Sequence, residues 1–201
     1  ASLSLETKIP QNKNNRAKLL ILGGSRGASS LNSVIPQALA MVDKNVRPEV
    51  LHQTGRDHFQ KTNDIYRSEL SSNSLKNITL VPFIDDMSEA YQWADFVICR
   101  SGALTISELA SVGLCSILIP FPHATDNHQF KNAQILVRAG SAEIVEHKNF
   151  NTQLMSERIS FYSKNRKLRQ EMSEKARLIA KSNSDERVAK ECIEVMNNGS
   201  S

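Results

Sequence analysis

Short runs with apolar cores, each handing over through a few small or polar residues to a stretch of helical spacing, recur along this chain. They are Lys18 to Leu22, Glu49 to Gln53, Ile78 to Val81, Asp95 to Cys99, Cys115 to Pro120 and Ser141 to Glu146. Runs this short and rich in Val, Ile and Leu suit strands buried on both faces, which a parallel sheet covered by helices provides. Helical stripes fall between them, the first being Leu31, Val34, Ile35, Ala38 and Leu39. The alternation predicts an α/β chain built on a Rossmann-like, doubly wound parallel sheet of about six strands. A length of 201 residues allows one such domain with a substantial core. Residues 17–196 read as that domain, the polar, aperiodic residues 1–16 as a linker or truncated lead-in, and 197–201 as a flexible tail.

Open parallel sheets bind ligands at the carboxyl ends of their strands, so the loops after the runs carry the functional expectations. After the first run comes Gly23-Gly24-Ser25-Arg26-Gly27. Its glycines let backbone approach a ligand, and the following helix N-terminus favours an anion. Gly23, Gly24 and Gly27 therefore read as a phosphate loop. The spacing is not the dinucleotide fingerprint, and the second run ends in Gln53-Thr54-Gly55 with no acid for an adenosine ribose, which argues against a nicotinamide or flavin cofactor. Pro36 falls inside the predicted helix and implies a kink or a short first segment.

The fourth run leads through Arg100-Ser101-Gly102 into Ala103-Leu104-Thr105-Ile106-Ser107-Glu108. A strand that restarts at once as a helix points its first-turn N–H groups outward, a seat for phosphate. Glu108 lies a turn beyond Thr105 on the same face, where a carboxylate accepts bonds from a sugar diol. The competing reading is that Ser101 and Thr105 cap the helix and Glu108 is a solvated acid. Asp85-Asp86 invites a hard cation, but with no further ligands nearby Asp86 reads as the cap of a helix from Met87 through Tyr91 to Trp93. The fifth run opens onto Phe121 to Gln129, dense in hydrogen-bonding side chains, and then a helix through Asn132, Ile135, Leu136 and Val137.

Arg56 to Leu70 reads as a polar amphipathic helix, Ser71 to Ser74 as a loop, and the chain from Thr152 onward as helical, with Leu154, Ile159, Leu168, Met172, Ile179, Val188, Ile193 and Val195 buried. His52 and His58 read as structural. The net charge of +4 has both signs interspersed, so a nucleic-acid partner is not implied, and the basic stretches from Lys164 to Arg169 and from Lys175 to Arg177 read as solvated helix faces in preference to an anionic-membrane footprint. Cys99, Cys115 and Cys192 lie far apart, with neither metal spacing nor an even count, which suits reduced thiols in a cytoplasm. No run approaches the length of a membrane span, so membrane association would be peripheral.

Together, Leu22 to Ala28, His52 to Gly55, Phe83 to Met87, Cys99 to Thr105 with Glu108, and Pro120 to His123 with His128, Gln129 and Asn132 resemble the MurG family of bacterial glycosyltransferases. These add N-acetylglucosamine (GlcNAc) to the undecaprenyl-pyrophosphoryl-muramyl-pentapeptide of peptidoglycan synthesis. The resemblance runs from about Lys18 to about Val195 and covers the C-terminal, donor-binding half of a two-domain GT-B enzyme. It implies an inverting, metal-independent transfer from UDP-GlcNAc that converts lipid I to lipid II, without a cofactor. The partners it implies are the nucleotide sugar and, through an N-terminal domain with no counterpart here, the lipid-linked acceptor. The implied place is the cytoplasmic face of the inner membrane.

Carried onto this sequence, the resemblance puts uracil against the backbone around Ile84 with Phe83 beside it, and the ribose hydroxyls on Glu108. Ser25 contacts the ribose-phosphate portion, and Ser101, Gly102 and Ala103 with Leu104 and Thr105 hold diphosphate and sugar. Gln129, with His128 and Asn132, contacts the GlcNAc hydroxyls. Arg100 either neutralises the diphosphate or pairs with Asp85 or Asp86. No residue here reads as the catalytic base, and no metal ligands are expected. Two other readings are a donor subunit completed by a separate acceptor-domain protein, and a nucleotide-sugar sensor or epimerase-like enzyme.

Overall fold

The computed structural model describes residues 16–23, 28–121 and 127–180. Among them six strands, β1 (Lys18–Leu22), β2 (Glu49–Gln53), β3 (Ile78–Val81), β4 (Phe96–Cys99), β5 (Cys115–Leu118) and β6 (Ala142–Ile144), form one sheet in the order β3-β2-β1-β4-β5-β6. Every pairing is parallel. The doubly wound sheet expected from the apolar runs is therefore present, with the fourth, fifth and sixth strands trimmed by one to three residues at their ends.

The sequence builds outward from β1 to β3, then returns to the centre and builds the other way from β4. Right-handed crossovers in opposite directions put their helices on opposite faces. Accordingly α1 (Ser29–Met41) and α2 (Phe59–Glu69) cover one face, joined there by α7 (Thr152–Lys164). The other face is covered by α4 (Met87–Trp93), α5 (Ala103–Val112) and α6 (His128–Arg138). Side chains of successive strand residues alternate between these layers. Leu19, Ile21, Phe96, Ile98 and Ile117 enter the α1/α2/α7 core, and Leu20, Leu22, Val97, Cys99 and Leu118 enter the α4/α5/α6 core. Full burial of each such Leu, Ile or Phe contributes about 1.5–3 kcal/mol, which is why apolar residues predominate in these runs.

Several local expectations need correcting. Residues 71–74 are not simply a loop: Ser71 caps a single-turn helix, α3 (Ser72–Leu75), accepting the Ser74 amide. Pro36 does not shorten the helix that contains it, since α1 runs continuously through it with Pro36 itself buried. The C-terminal helix is interrupted at Asn165, and a separate helix, α8, follows at 166–180. Along it Met172 is buried, whereas Leu168 and Ile179 are only partly so, as is Leu154 in α7; Val188, Ile193 and Val195 lie outside the described residues. Arg169 is not on a solvated face but buried, donating to the Tyr162 and Ser163 carbonyls. Asp86 does cap α4, accepting the Glu89 amide at 3.0 Å.

Candidate functional site

Because all six strands run the same way, the loops after them share one edge of the sheet. At that edge a cleft of about 200 Å³ opens between β1 and β4, the point where the strand order reverses and open α/β sheets place their ligands. Its floor is Leu22, Gln53 and Cys99, the last residues of β1, β2 and β4; one wall is Phe83, Ile84, Met87 and Tyr91, and the other is Arg100, Thr105 and Glu108.

The helix starts around this edge are open. The residues that precede α1, α5 and α6, namely Ala28, Gly102 and Asn127, make no side-chain cap hydrogen bond. By contrast α4 and α7 are capped by Asp86 and Asn151. Ser101 and Thr105 thus do not cap α5, contrary to the competing expectation, and the positive end of that helix dipole faces outward from the β4 edge. Ser101 is fully buried, and its hydroxyl donates instead to the Gln129 carbonyl at 2.8 Å, while the Asn132 amide group donates to the Ser101 carbonyl at 3.3 Å. These two bonds lock the starts of α5 and α6 together.

Arg100 pairs with neither Asp85 nor Asp86. Its guanidinium donates to the Ile119 and Pro120 carbonyls at 3.0 and 3.2 Å and to the Ser30 hydroxyl at 2.8 Å. It also lies 5.5 Å from the Phe121 ring centroid. A planar fork can join the ends of β4 and β5 to the start of α1 in this way, where a lysine would not reach all three acceptors. Burial lowers its pKa from the ordinary arginine value, yet arginine stays charged, so a fixed cation stands beside the open starts of α1 and α5.

Glu108 accepts a hydrogen bond from the Tyr91 hydroxyl at 2.8 Å and faces the cleft with Thr105. Burial first, and then the bond to Glu108, raises the Tyr91 pKa, so it remains a donor. Ile84 has its side chain in the core at 1% exposure, leaving its backbone for any ligand contact. Gln129 is half-buried and its side-chain oxygen accepts the Phe121 amide at 2.9 Å, while His128 is exposed at the first position of α6. Leu104, at 74% exposure, projects from the first turn of α5. Gly23 extends the ladder by donating to the Gln53 carbonyl. Gly24, Ser25 and Gly27 lie outside the described residues.

The cleft thus gathers Ile84, Arg100, Thr105 and Glu108, and hydrogen bonds tie Ser101 to Gln129 and Asn132 beside it. Gly102, Ala103, Leu104 and His128 stand at helix starts outside its lining. Tyr91, Met87 and Gln53 also line the cleft, although no site role for them was expected from the sequence. Tyr91 had a signal: a tyrosine on the buried face of a predicted helix needs a partner for its hydroxyl. Among the described residues no three His, Cys, Asp or Glu side chains cluster as metal ligands, and Cys99 and Cys115 are buried free thiols.

With this geometry in place, comparison with known proteins is informative. The glycosyltransferase family 28 C-terminal domain matches residues 18–192. The chain belongs to this family. The chain is 41% identical over 184 residues to a Burkholderia thailandensis protein, and 41% identical over 193 residues to one from Azotobacter vinelandii. The matched stretches cover 91% and 96% of this chain and 49% and 52% of theirs. Both are named UDP-N-acetylglucosamine--N-acetylmuramyl-(pentapeptide) pyrophosphoryl-undecaprenol N-acetylglucosamine transferase. The crystal structure of Acinetobacter baumannii MurG superposes with a TM-score of 0.75 at 33% identity, over 90% of this chain and 53% of that one. The chain therefore spans about half the length of the relatives it matches. No helix among its described residues is long and apolar enough to cross a membrane.

Proposed function

We propose that this chain binds UDP-GlcNAc as the donor domain of an inverting, metal-independent transferase that passes GlcNAc to an undecaprenyl-pyrophosphoryl acceptor, converting lipid I to lipid II. The observation that carries this reading is the juxtaposition, at the β1/β4 switch point, of an uncapped α5 start, a fixed arginine and a cleft-facing glutamate. Glu108 receives the ribose diol, and the backbone at Ile84 with Phe83 receives the uracil. The start of α5, with Ser101 to Thr105, holds diphosphate and sugar; Ser25 contacts the ribose-phosphate portion, and the glycines Gly23, Gly24 and Gly27 serve as a phosphate loop. Gln129, Asn132 and His128 serve the sugar hydroxyls. Transfer needs the departing UDP stabilised, and helix N-termini with Arg100 supply positive potential where that charge grows. The acceptor surface, the base that takes the acceptor proton and the contact with the cytoplasmic face of the inner membrane belong, on this reading, to the half of the relatives that this chain does not span.

Calorimetric titration of the chain with UDP-GlcNAc and with NADH, each with and without EDTA, tests the proposal. UDP-GlcNAc binds in preference and EDTA leaves its affinity unchanged; preference for NADH, or no nucleotide-sugar binding, refutes it. Glu108→Ala weakens binding by about 1.5–3 kcal/mol if the carboxylate holds the ribose diol; unchanged affinity leaves Glu108 only as the acceptor of the Tyr91 hydroxyl.

A further inference from the structure

Glu108 is a long side chain on a surface helix, and left to itself its carboxylate would sample many rotamers. One group prevents this. Tyr91, at 5% exposure on the facing helix α4, donates its hydroxyl to Glu108 Oε2 at 2.8 Å. An ionised carboxylate offers about four acceptor positions on two oxygens; this bond uses one of them, fixes the carboxylate plane and leaves Oε1 for a ligand. The tyrosine is itself held from both sides. Its ring packs in the α4/α5/α6 core with Trp93 and Ile106, and its helix is anchored by the Asp86 cap. From this geometry we infer that Tyr91 is a positioning residue for nucleotide recognition: it presets the Glu108 carboxylate so that the protein selects a ribose with both hydroxyls present. The inference rests on the reading that Glu108 binds the ribose.

The bond ties the two walls of the cleft, α4 beyond β3 and α5 beyond β4, which the chain reaches from opposite halves of the sheet. A donor buried on one wall therefore sets the acceptor on the other, and ligand binding need not order Glu108 from a mobile state. Removing the hydroxyl keeps the ring and its packing. What is lost is alignment, and the loss falls on ligands that use Glu108.

The test measures the ratio of Kd for 2′,3′-dideoxy-UDP to Kd for UDP by calorimetry, for the wild-type chain, Tyr91→Phe, Glu108→Ala and the double variant. Both single variants are expected to lower the ratio. Glu108→Ala brings it close to one, and Tyr91→Phe lowers it about threefold to tenfold through weaker UDP binding alone. The double variant matches Glu108→Ala, because the hydroxyl acts through the carboxylate. Partial unfolding of a variant changes the stoichiometry and not the ratio, so the comparison survives a stability loss. If Glu108→Ala collapses the ratio and Tyr91→Phe leaves it unchanged, the positioning role is refuted while ribose binding by Glu108 stands. Equal weakening of both ligands by Tyr91→Phe makes its role merely structural and also overturns the inference. A ratio indifferent to Glu108→Ala removes the ribose reading and the inference together.

Discussion

His52 should make this fold acid-sensitive by an amount that its surroundings set. It lies in β2 with no exposed surface, its Nδ1 2.9 Å from the Tyr66 hydroxyl and its Nε2 3.0 Å from Asn32 Oδ1. The Asn32 side-chain nitrogen donates to the Thr54 carbonyl at 2.9 Å, so Asn32 Oδ1 is the acceptor toward His52. Nε2 then carries the proton and Nδ1 accepts from Tyr66. A second proton would expel the Tyr66 donation and leave a buried charge without a counter-ion, and burial accordingly lowers the pKa from 6.5 to about 3. A depressed histidine pKa means that the unfolded chain takes up the proton first. The stabilisation by the neutral ring is complete above the unfolded value near 6.5, declines as pH falls below it, and stops declining near 3. The slope is about 1.4 kcal/mol per pH unit, so moving from neutrality to pH 5 costs about 2 kcal/mol. Urea unfolding followed by the fluorescence of the single tryptophan, Trp93, at pH 7.5 and 5.0 measures this. Wild type should lose about 2 kcal/mol more than His52→Gln, which is less stable at pH 7.5 but lacks the titration. Identical pH dependence in the two chains would refute the tautomer and the network built on it.

Two further substitutions separate cleft chemistry from scaffold. Arg100→Ala removes three hydrogen bonds and the cation between the α1 and α5 starts; we expect UDP affinity to fall about tenfold or more while uridine affinity changes little, with Arg100→Lys intermediate because it keeps charge but not the fork. Equal losses for UDP and uridine in calorimetry would mean that Arg100 acts on the scaffold alone. Gly113 closes α5 at φ 69°, its amide bonding Ala110 O and the Leu114 amide bonding Leu109 O. Gly113→Ala meets both that backbone conformation and the Arg177 side chain lying over it. It should lower thermal stability by about 1–2 kcal/mol without changing the Kd for UDP-GlcNAc in the folded fraction, and a neutral melting temperature would contradict this.

The fold was legible because buried parallel strands leave a compositional trace. Six apolar runs gave six strands, since each residue such as Leu20 or Ile98 must be apolar whichever face it meets. Loop chemistry was legible where a residue type answers a backbone need, as with Asp86 before α4. The cleft was less so. Its position at the β1/β4 boundary depends on strand order, and the runs alone do not say that β4 returns beside β1. Nor could spacing place Tyr91 against Glu108, seventeen positions apart on separate helices, or turn the Ser101 hydroxyl toward α6 instead of its own helix. Arg100 shows the limit most plainly. The candidate partners in sequence were the aspartates of the preceding loop, yet two of its acceptors are backbone carbonyls at the end of β5, groups that every residue carries and no sequence distinguishes.

The same bonds explain why the candidate residues should not behave as independent contacts. Ser101, Asn132 and Gln129 spend side-chain or main-chain groups on one another and on Phe121, and Arg100 spends three of its five donors on the scaffold. Groups committed in this way cannot turn freely to follow a ligand; they hold the starts of α1, α5 and α6 in fixed relation, so that open amides and a cation face one region before anything binds. Electrostatic stabilisation of a departing diphosphate is effective when the dipoles are already oriented and need no reorganisation as the charge develops. A substitution at Asn132 therefore acts chiefly by letting α6 move relative to α5. Its effect on binding and its effect on stability should rise together across a series such as Asn132→Asp, Asn132→Ser and Asn132→Ala, whereas substitutions at Glu108 should lower stability by no more than the about 1–3 kcal/mol that goes with the lost Tyr91 hydrogen bond, and binding should not track that loss.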